Sequence, residues 1–121
     1  MNLLSIGGSD PSSGAGIQSD IKTFSVFDAH ALTVITAITG QNTSNFGTVE
    51  PVSKKMVENQ LESIISDFKI DGIKIGMVYN SEIIKTVYQH LKKLKIPIVV
   101  DPVIRSTTGG MLIKKSAIDD F

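Results

Sequence analysis

Four short apolar runs set the frame for any fold of this chain: LLSI (residues 3–6), LTVITAI (32–38), GIKIGM (72–77) and IPIVV (96–100). Their length and β-branched content predict strands, and they lack sustained apolar/polar alternation. Strands of that kind are buried on both faces, as in a parallel sheet covered by helices. The segments between them carry helical periodicity. Ile17, Ile21, Phe24 and Phe27 share one face of the first; Val57, Leu61, Ile64, Ile65 and Phe68 form one continuous stripe on the second. The third, from Ser81 to Lys95, aligns Ile84, Val87, Leu91 and Leu94, has Asn80 or Ser81 as its cap, and gathers Lys92, Lys93 and Lys95 where the helix dipole favours cations, with Pro97 just beyond. Strand and helix thus alternate, and the expected fold class is α/β: a parallel sheet with flanking helices in βαβαβαβ order, joined by right-handed crossovers.

Toward the carboxyl end, Ser116 reads as a helix cap and Ala117 to Phe121 as a first turn that is not completed. The expectation is therefore an incomplete half-domain, residues 1–121 forming the N-terminal portion of one larger domain; a frayed tail on a small complete α/β domain is the alternative. No repeat, low-complexity linker or internal boundary interrupts the 121 residues, and a hydrophobic fraction of 41% is enough for one core. Twelve basic residues balance twelve acidic ones, so the excess of cations that drives binding to phosphate backbones is missing and no nucleic-acid partner is expected. The chain has no cysteine, which excludes a disulfide framework, a thiolate metal site and a cysteine nucleophile within these residues. Met1 leads straight into an apolar strand without a basic leader, and no apolar stretch approaches bilayer length, so no membrane association and a cytoplasmic location are expected.

In an open parallel sheet, ligands bind outside the carboxyl ends of the strands, where loops and helix N-termini converge. Those ends run into Gly7, Gly8, Ser9 and Asp10; into Thr39, Gly40, Gln41 and Asn42; into Gly76 and Met77; and into Asp101, Pro102 and Val103. Each has a plain explanation as turn chemistry. Together they place small and hydrogen-bonding residues along one edge, as a small-molecule pocket requires. The glycine-rich stretch SIGGSDPSSGAGIQSDIKTF has no Gly-Lys-Ser/Thr, and Gly14, Ala15, Gly16 lack the third glycine of a dinucleotide loop. It is left as a turn that lets the backbone approach a ligand, followed by a helix N-terminus facing the same place. Asp20 falls between Phe27 and Phe24 on the apolar helix face. A charge there needs a partner, so Asp20 is expected to meet a helix end, another group or a ligand, or to cap a neighbouring backbone from the edge of the face.

The blocks GGSDPSSGAGIQSDIKTF, VITAITGQNT, IKIGM and VVDPVIRSTTGG, in this order, closely resemble the hydroxymethylpyrimidine/phosphomethylpyrimidine kinases of thiamin biosynthesis, in the ribokinase superfamily. The resemblance runs through essentially the whole chain. It implies a transferase that phosphorylates a pyrimidine alcohol and then its monophosphate with ATP and Mg2+. It further implies that Gly8 and Ala15 lie against the pyrimidine, that Gln41 hydrogen-bonds the ring edge, that Asp20 receives the hydroxymethyl or amino side, that Met77 and Val103 form apolar walls, and that Asp101 faces the magnesium and phosphate region. In such kinases the nucleotide site, the anion hole and the catalytic residue belong to the second half of a chain about twice this length, so no catalytic residue is expected here and these residues alone are expected to be inactive. Asn59 to Glu62 matches a magnesium-associated Asn-x-x-Glu of the superfamily, but lies mid-helix and is taken as coincidence. Two other readings share the fold: a non-catalytic ligand-binding or interaction fragment, and a pyridoxal-type kinase. Gln41-Asn42-Thr43 and Met77 favour the pyrimidine. A half-domain would leave the IPIVV strand without neighbours, so a homo-oligomer is expected.

Overall fold

A computed structural model describes residues 1–104 together with 110, 111, 113, 114, 117 and 118. The elements run β1 (Asn2–Ser9), α1 (Gly16–Val26), β2 (His30–Gln41), β3 (Phe46–Pro51), α2 (Lys54–Asp67), β4 (Gly72–Ile75), α3 (Ser81–Leu91) and β5 (Ile98–Val100). They form a five-stranded sheet in the order β3-β2-β1-β4-β5. All neighbours are parallel except β2 and β3, which pair antiparallel. The expected α/β sheet with flanking helices is present.

The two faces of the sheet are used differently. Leu4 and Ile6 of β1, Leu32 and Val34 of β2 and Ile73 of β4 turn toward Val57 and Leu61 of α2 and Ile83, Val87 and Leu91 of α3, and together form the main core. Each of these aliphatic side chains contributes about 1.5–3 kcal/mol on burial. The opposite face carries α1, whose Asp20 meets Ser5 and whose Ile17 lies beside Gly7. The caps follow the sequence: Ser53 Oγ accepts from the Met56 amide at 3.2 Å to start α2, and Asn80, not Ser81, caps α3 by accepting from Ile83 N at 2.9 Å.

Four features differ from the sequence reading. The βαβαβαβ order lacks β3: after β2 the chain turns at Asn42, whose Oδ1 accepts from the amides of Ser44 and Asn45, and returns antiparallel along the sheet edge. FGTVEP gave little strand signal because it includes a glycine and ends on a proline, which edge strands tolerate. The apolar stripe of α1 is only partly buried: Ile17 is in the core where the helix packs on β1 and β2, but Ile21 in mid-helix and Phe27 at the C-cap are exposed. The third helix ends at Leu91, so Lys93 and Lys95 follow it instead of closing its last turn. Finally, β5 is exposed at all three residues, Val99 at 65%, because it forms an edge of the described sheet. The expected cap Ser116 and residues 119–121 lie outside the described residues; Ala117 and Ile118 form a short 3-10 turn.

Candidate functional site

Outside the carboxyl ends of β1, β2, β4 and β5 lies a cavity of about 520 Å³, within the range that holds small metabolites. Gly8, Ala15, Asp20, Gln41, Met77, Asp101 and Val103, the residues singled out from the sequence, all line it. So do Asp10, Thr39 and Asn42, which the strand-end argument placed along this edge, Thr43 beside them, and Lys74, to which the sequence reading gave no role in a site.

The β1–α1 loop is folded around its own carboxylate. Asp10, 3% exposed, accepts hydrogen bonds from the Ser12 amide at 2.9 Å, the Ser12 hydroxyl at 2.7 Å and the Ala15 amide at 2.8 Å. Burial pushes the Asp10 pKa up, but the Ser12 hydroxyl and the backbone donors of Ser12, Ala15 and Gly14 outweigh it and hold the group below the ordinary aspartate value. Amides that would cradle a phosphate in a nucleotide loop are thus spent on an internal anion, which would itself repel phosphate. The loop is a shaped wall. Gly16 makes the closure possible: its φ is +63°, and a Cβ there would sit 2.5 Å from the Gly8 carbonyl oxygen. Gln18 adds a clamp, accepting from the Asp10 amide and donating to Ser9 Oγ.

One wall is apolar and rigidly set. The β1–β2 ladder shifts register between Gly7 and Gly8, placing the extra residue Thr36 of β2 fully inside the protein. Its hydroxyl donates to the Met77 carbonyl. The Met77 side chain then lies over Gly8, where an added Cβ would come within 2.5 Å of Sδ. Met77 and Ala37 form a small second core with Val103 and Phe46 packed against it. Opposite lies a polar relay: Gln41 Nε2 donates to Thr39 Oγ1 at 2.9 Å, and Thr39 donates onward to the Ser9 carbonyl at 2.8 Å. The Gln41 amide is thereby oriented, with Oε1 and the second N–H without a partner among the described residues.

Asp20 has the partner that its position on α1 demanded. Lys74 Nζ lies 3.0 Å from Oδ2 and 3.2 Å from Oδ1, and the Ser5 hydroxyl donates to Oδ2 at 2.6 Å. Of the sequence alternatives, this is pairing with another group. Lys74 was legible only as an oddity, a lysine inside the apolar run GIKIGM, and joining it to the equally misplaced Asp20 would have found the pair. Asp101 sits at the exposed rim, its amide bonded to the Ile75 carbonyl at 2.8 Å and its carboxylate without a hydrogen-bond partner among the described residues.

Comparison with known proteins bears on what this cavity takes. The family model for phosphomethylpyrimidine kinase matches residues 10–121. The chain belongs to the phosphomethylpyrimidine kinase family. The hydroxymethylpyrimidine/phosphomethylpyrimidine kinase of Rhizobium meliloti is 44% identical over 95% of this chain and 43% of its own length. The crystal structure of phosphomethylpyrimidine kinase from Clostridium difficile superposes with a TM-score of 0.90 at 44% identity, over 99% of this chain and 52% of that one. Pyridoxal kinase from Staphylococcus aureus, solved with AMP-PCP and pyridoxal, superposes with a TM-score of 0.76 at 38% identity, over 84% of this chain and 38% of that one. This member of the family therefore spans about half the length of the relatives it matches, and its relatives include kinases of two vitamin-type substrates.

The family implies a nucleotide and magnesium, and the residues present can be tested for both. Among the described residues no three potential metal ligands cluster. Of the three described carboxylates that line the cavity, Asp10 and Asp20 are engaged and Asp101 has no partner among the described residues, which fits one contact to a hydrated magnesium whose remaining ligands are water and phosphate. For the nucleotide, the glycine-rich loop is closed on Asp10 and does not fit a phosphate cradle. Among the described residues no helix is long and apolar enough to cross a membrane.

Proposed function

We propose that residues 1–121 form the substrate-binding portion of a single ribokinase-like domain that phosphorylates hydroxymethylpyrimidine and its monophosphate in thiamin biosynthesis. The observation that carries this reading is the pairing, across one cavity, of an oriented Gln41 amide with the flat apolar wall of Gly8 and Met77. A planar heterocycle satisfies both: its face stacks on the thioether and the glycine, and its edge meets a donor and an acceptor side by side. Asp20 then takes a donor from the ring substituents, Ala15 and Val103 close the remaining sides, and Asp101 stands at the rim toward the leaving phosphate region.

The nucleotide, with magnesium, supplies the transferable phosphoryl group when bound. Phosphoryl transfer rests almost entirely on positioning and preorganised charge. What these residues contribute is positioning: they hold the ring, point its hydroxymethyl oxygen out of the cavity and exclude water from the ring face. The anion hole and nucleotide site fall to the portion of the relatives that has no counterpart in this chain, so residues 1–121 alone are expected to bind without turnover. The pyridoxal-kinase relative at 38% identity keeps a second reading in play, a kinase of pyridoxal-type substrates in the same pocket. Calorimetric titration with hydroxymethylpyrimidine and with pyridoxal separates them. Binding of the pyrimidine at least about tenfold tighter, about 1.4 kcal/mol, supports the first reading. Equal or tighter binding of pyridoxal, or no binding of either, refutes it.

A further inference from the structure

The wall that Met77 makes is held from outside the cavity. The register shift in the β1–β2 ladder falls just beyond the reach of β3, which pairs with β2 only from Ala37 to Gln41. Backbone groups of Ile35 and Thr36 that turn to that side therefore need other partners, since a buried N–H or C=O left without one is costly. Two residues supply them. The Val52 amide donates to the Thr36 carbonyl at 2.9 Å. Gln60, on α2, accepts from the Ile35 amide at 2.8 Å and donates to the Ile35 carbonyl at 2.9 Å. A carboxamide offers an acceptor and a donor side by side, so this one side chain stands in for a neighbouring strand.

Thr36, the extra residue at the shift, is fully buried and donates its hydroxyl to the Met77 carbonyl. The next residue, Ala37, packs with the Met77 side chain in the small second core. One position earlier, the Gly76 amide donates to the Ile6 carbonyl at 2.8 Å, so the chain leaving β4 is tied first to β1 and then to β2. Neither Thr36 nor Gln60 is among the described residues that line the cavity. Methionine is flexible and fills gaps readily, so it makes a firm surface only where its backbone is fixed. We propose that Thr36, braced by Gln60 through the Ile35 backbone, is a positioning residue for ligand binding: it fixes the Met77 carbonyl and so holds the thioether over Gly8 before a ligand arrives. A wall set in advance need not be ordered by the ligand, which raises affinity. This rests on the pyrimidine reading above and adds two residues outside the cavity that prepare its wall for a flat ring.

The test is calorimetric titration with hydroxymethylpyrimidine, with thermal melts of every variant. Thr36→Val keeps similar bulk but leaves the Met77 carbonyl without its donor, and should weaken binding by about fivefold or more. Thr36→Ser gives up a buried methyl and melts lower, yet keeps the hydroxyl and should bind within about twofold of the parent. Gln60→Met keeps similar bulk and loses both bonds to Ile35; it should weaken binding by about threefold or more. In a Met77→Ala background, where no thioether remains to be held, Thr36→Val and Gln60→Met should each change affinity by less than about twofold. A merely structural role would make affinity follow melting temperature, Thr36→Ser included, and would act equally with and without the Met77 side chain. Should Thr36→Val fail to fold, Gln60→Met in the two backgrounds carries the test. Parent-like binding by folded Thr36→Val or Gln60→Met, or the same loss in both backgrounds, overturns this proposal alone. A parent that does not bind the pyrimidine overturns the pyrimidine reading with it.

Discussion

Gly16→Ala tests how the cavity wall is made. Gly16 is the only described glycine with a positive φ, +63°, where an L-residue costs about 1–2 kcal/mol. The added methyl would lie 2.5 Å from the Gly8 carbonyl oxygen and 3.1 Å from the Asp10 amide, so backbone must move on both sides of the β1–α1 loop. Overpacking of this kind costs about a further 1–3 kcal/mol, giving about 2–5 kcal/mol in all. Gly14→Ala is the control, because its Cβ would find only ordinary contacts at 3.7 Å and 3.8 Å, both to side-chain atoms. It should change stability by no more than about 0.5–1 kcal/mol, in either direction. Urea denaturation reads the difference: with a slope of about 1–3 kcal/mol per molar, Gly16→Ala should lower the midpoint by about 0.7 M or more, and by several times as much as Gly14→Ala shifts it. Equal midpoints for the two variants would refute the wall geometry.

Two further outcomes follow from the loop and the sheet edge. The Asp10 pKa is lowered in the fold, so its contribution is present above the ordinary aspartate value and is lost as pH falls through the folded value; Asp10→Asn should destabilise the protein at neutral pH by about 1–3 kcal/mol and flatten the acid limb of stability against pH, measured by urea titrations across that range. The β5 edge, with Val99 at 65% and Val100 at 48% exposure beside an apolar groove lined by Val87, Leu91 and Leu94 of the α3 region, should drive self-association of residues 1–121, seen as concentration-dependent sedimentation and reduced by Val99→Lys; a monomer at high concentration would contradict this.

Much of the architecture was legible because burial leaves a periodic mark. Val57 and Leu61, or Val87 and Leu91, had to lie on one helix face, and the apolar runs of β1, β2 and β4 had to be strands; Ile83, fully buried where the pattern pointed to its neighbour Ile84, was missed. β3 was not legible, because an edge strand is selected by the hairpin turn at Asn42 and by pairing with β2 more than by its own composition. The cavity was legible as a place, since the strand ends converge by topology, and Gly8, Ala15, Gln41, Met77, Asp101 and Val103 lie there. Its wiring was not. That Thr36 would reach the Met77 carbonyl through a register shift depends on distances between elements, which no local pattern carries; the closing of the loop on Asp10 and the joining of Lys74 to Asp20 left only weak marks, an acidic residue at a turn and two charges set in apolar runs.

The central claim, that the cavity holds a pyrimidine by its edge, meets its most direct test in Gln41. The Gln41 amide is oriented by Thr39 and lines the cavity, and Gln41→Leu keeps similar bulk while leaving ring donors and acceptors unpaired, at about 1–3 kcal/mol for each buried group. Calorimetric titration of parent and variant with hydroxymethylpyrimidine, alongside thermal melts that show both folded, should give a loss of affinity of roughly 5- to 150-fold. If folded Gln41→Leu binds the pyrimidine as tightly as the parent, the ring edge does not meet Gln41, and the cavity serves another ligand.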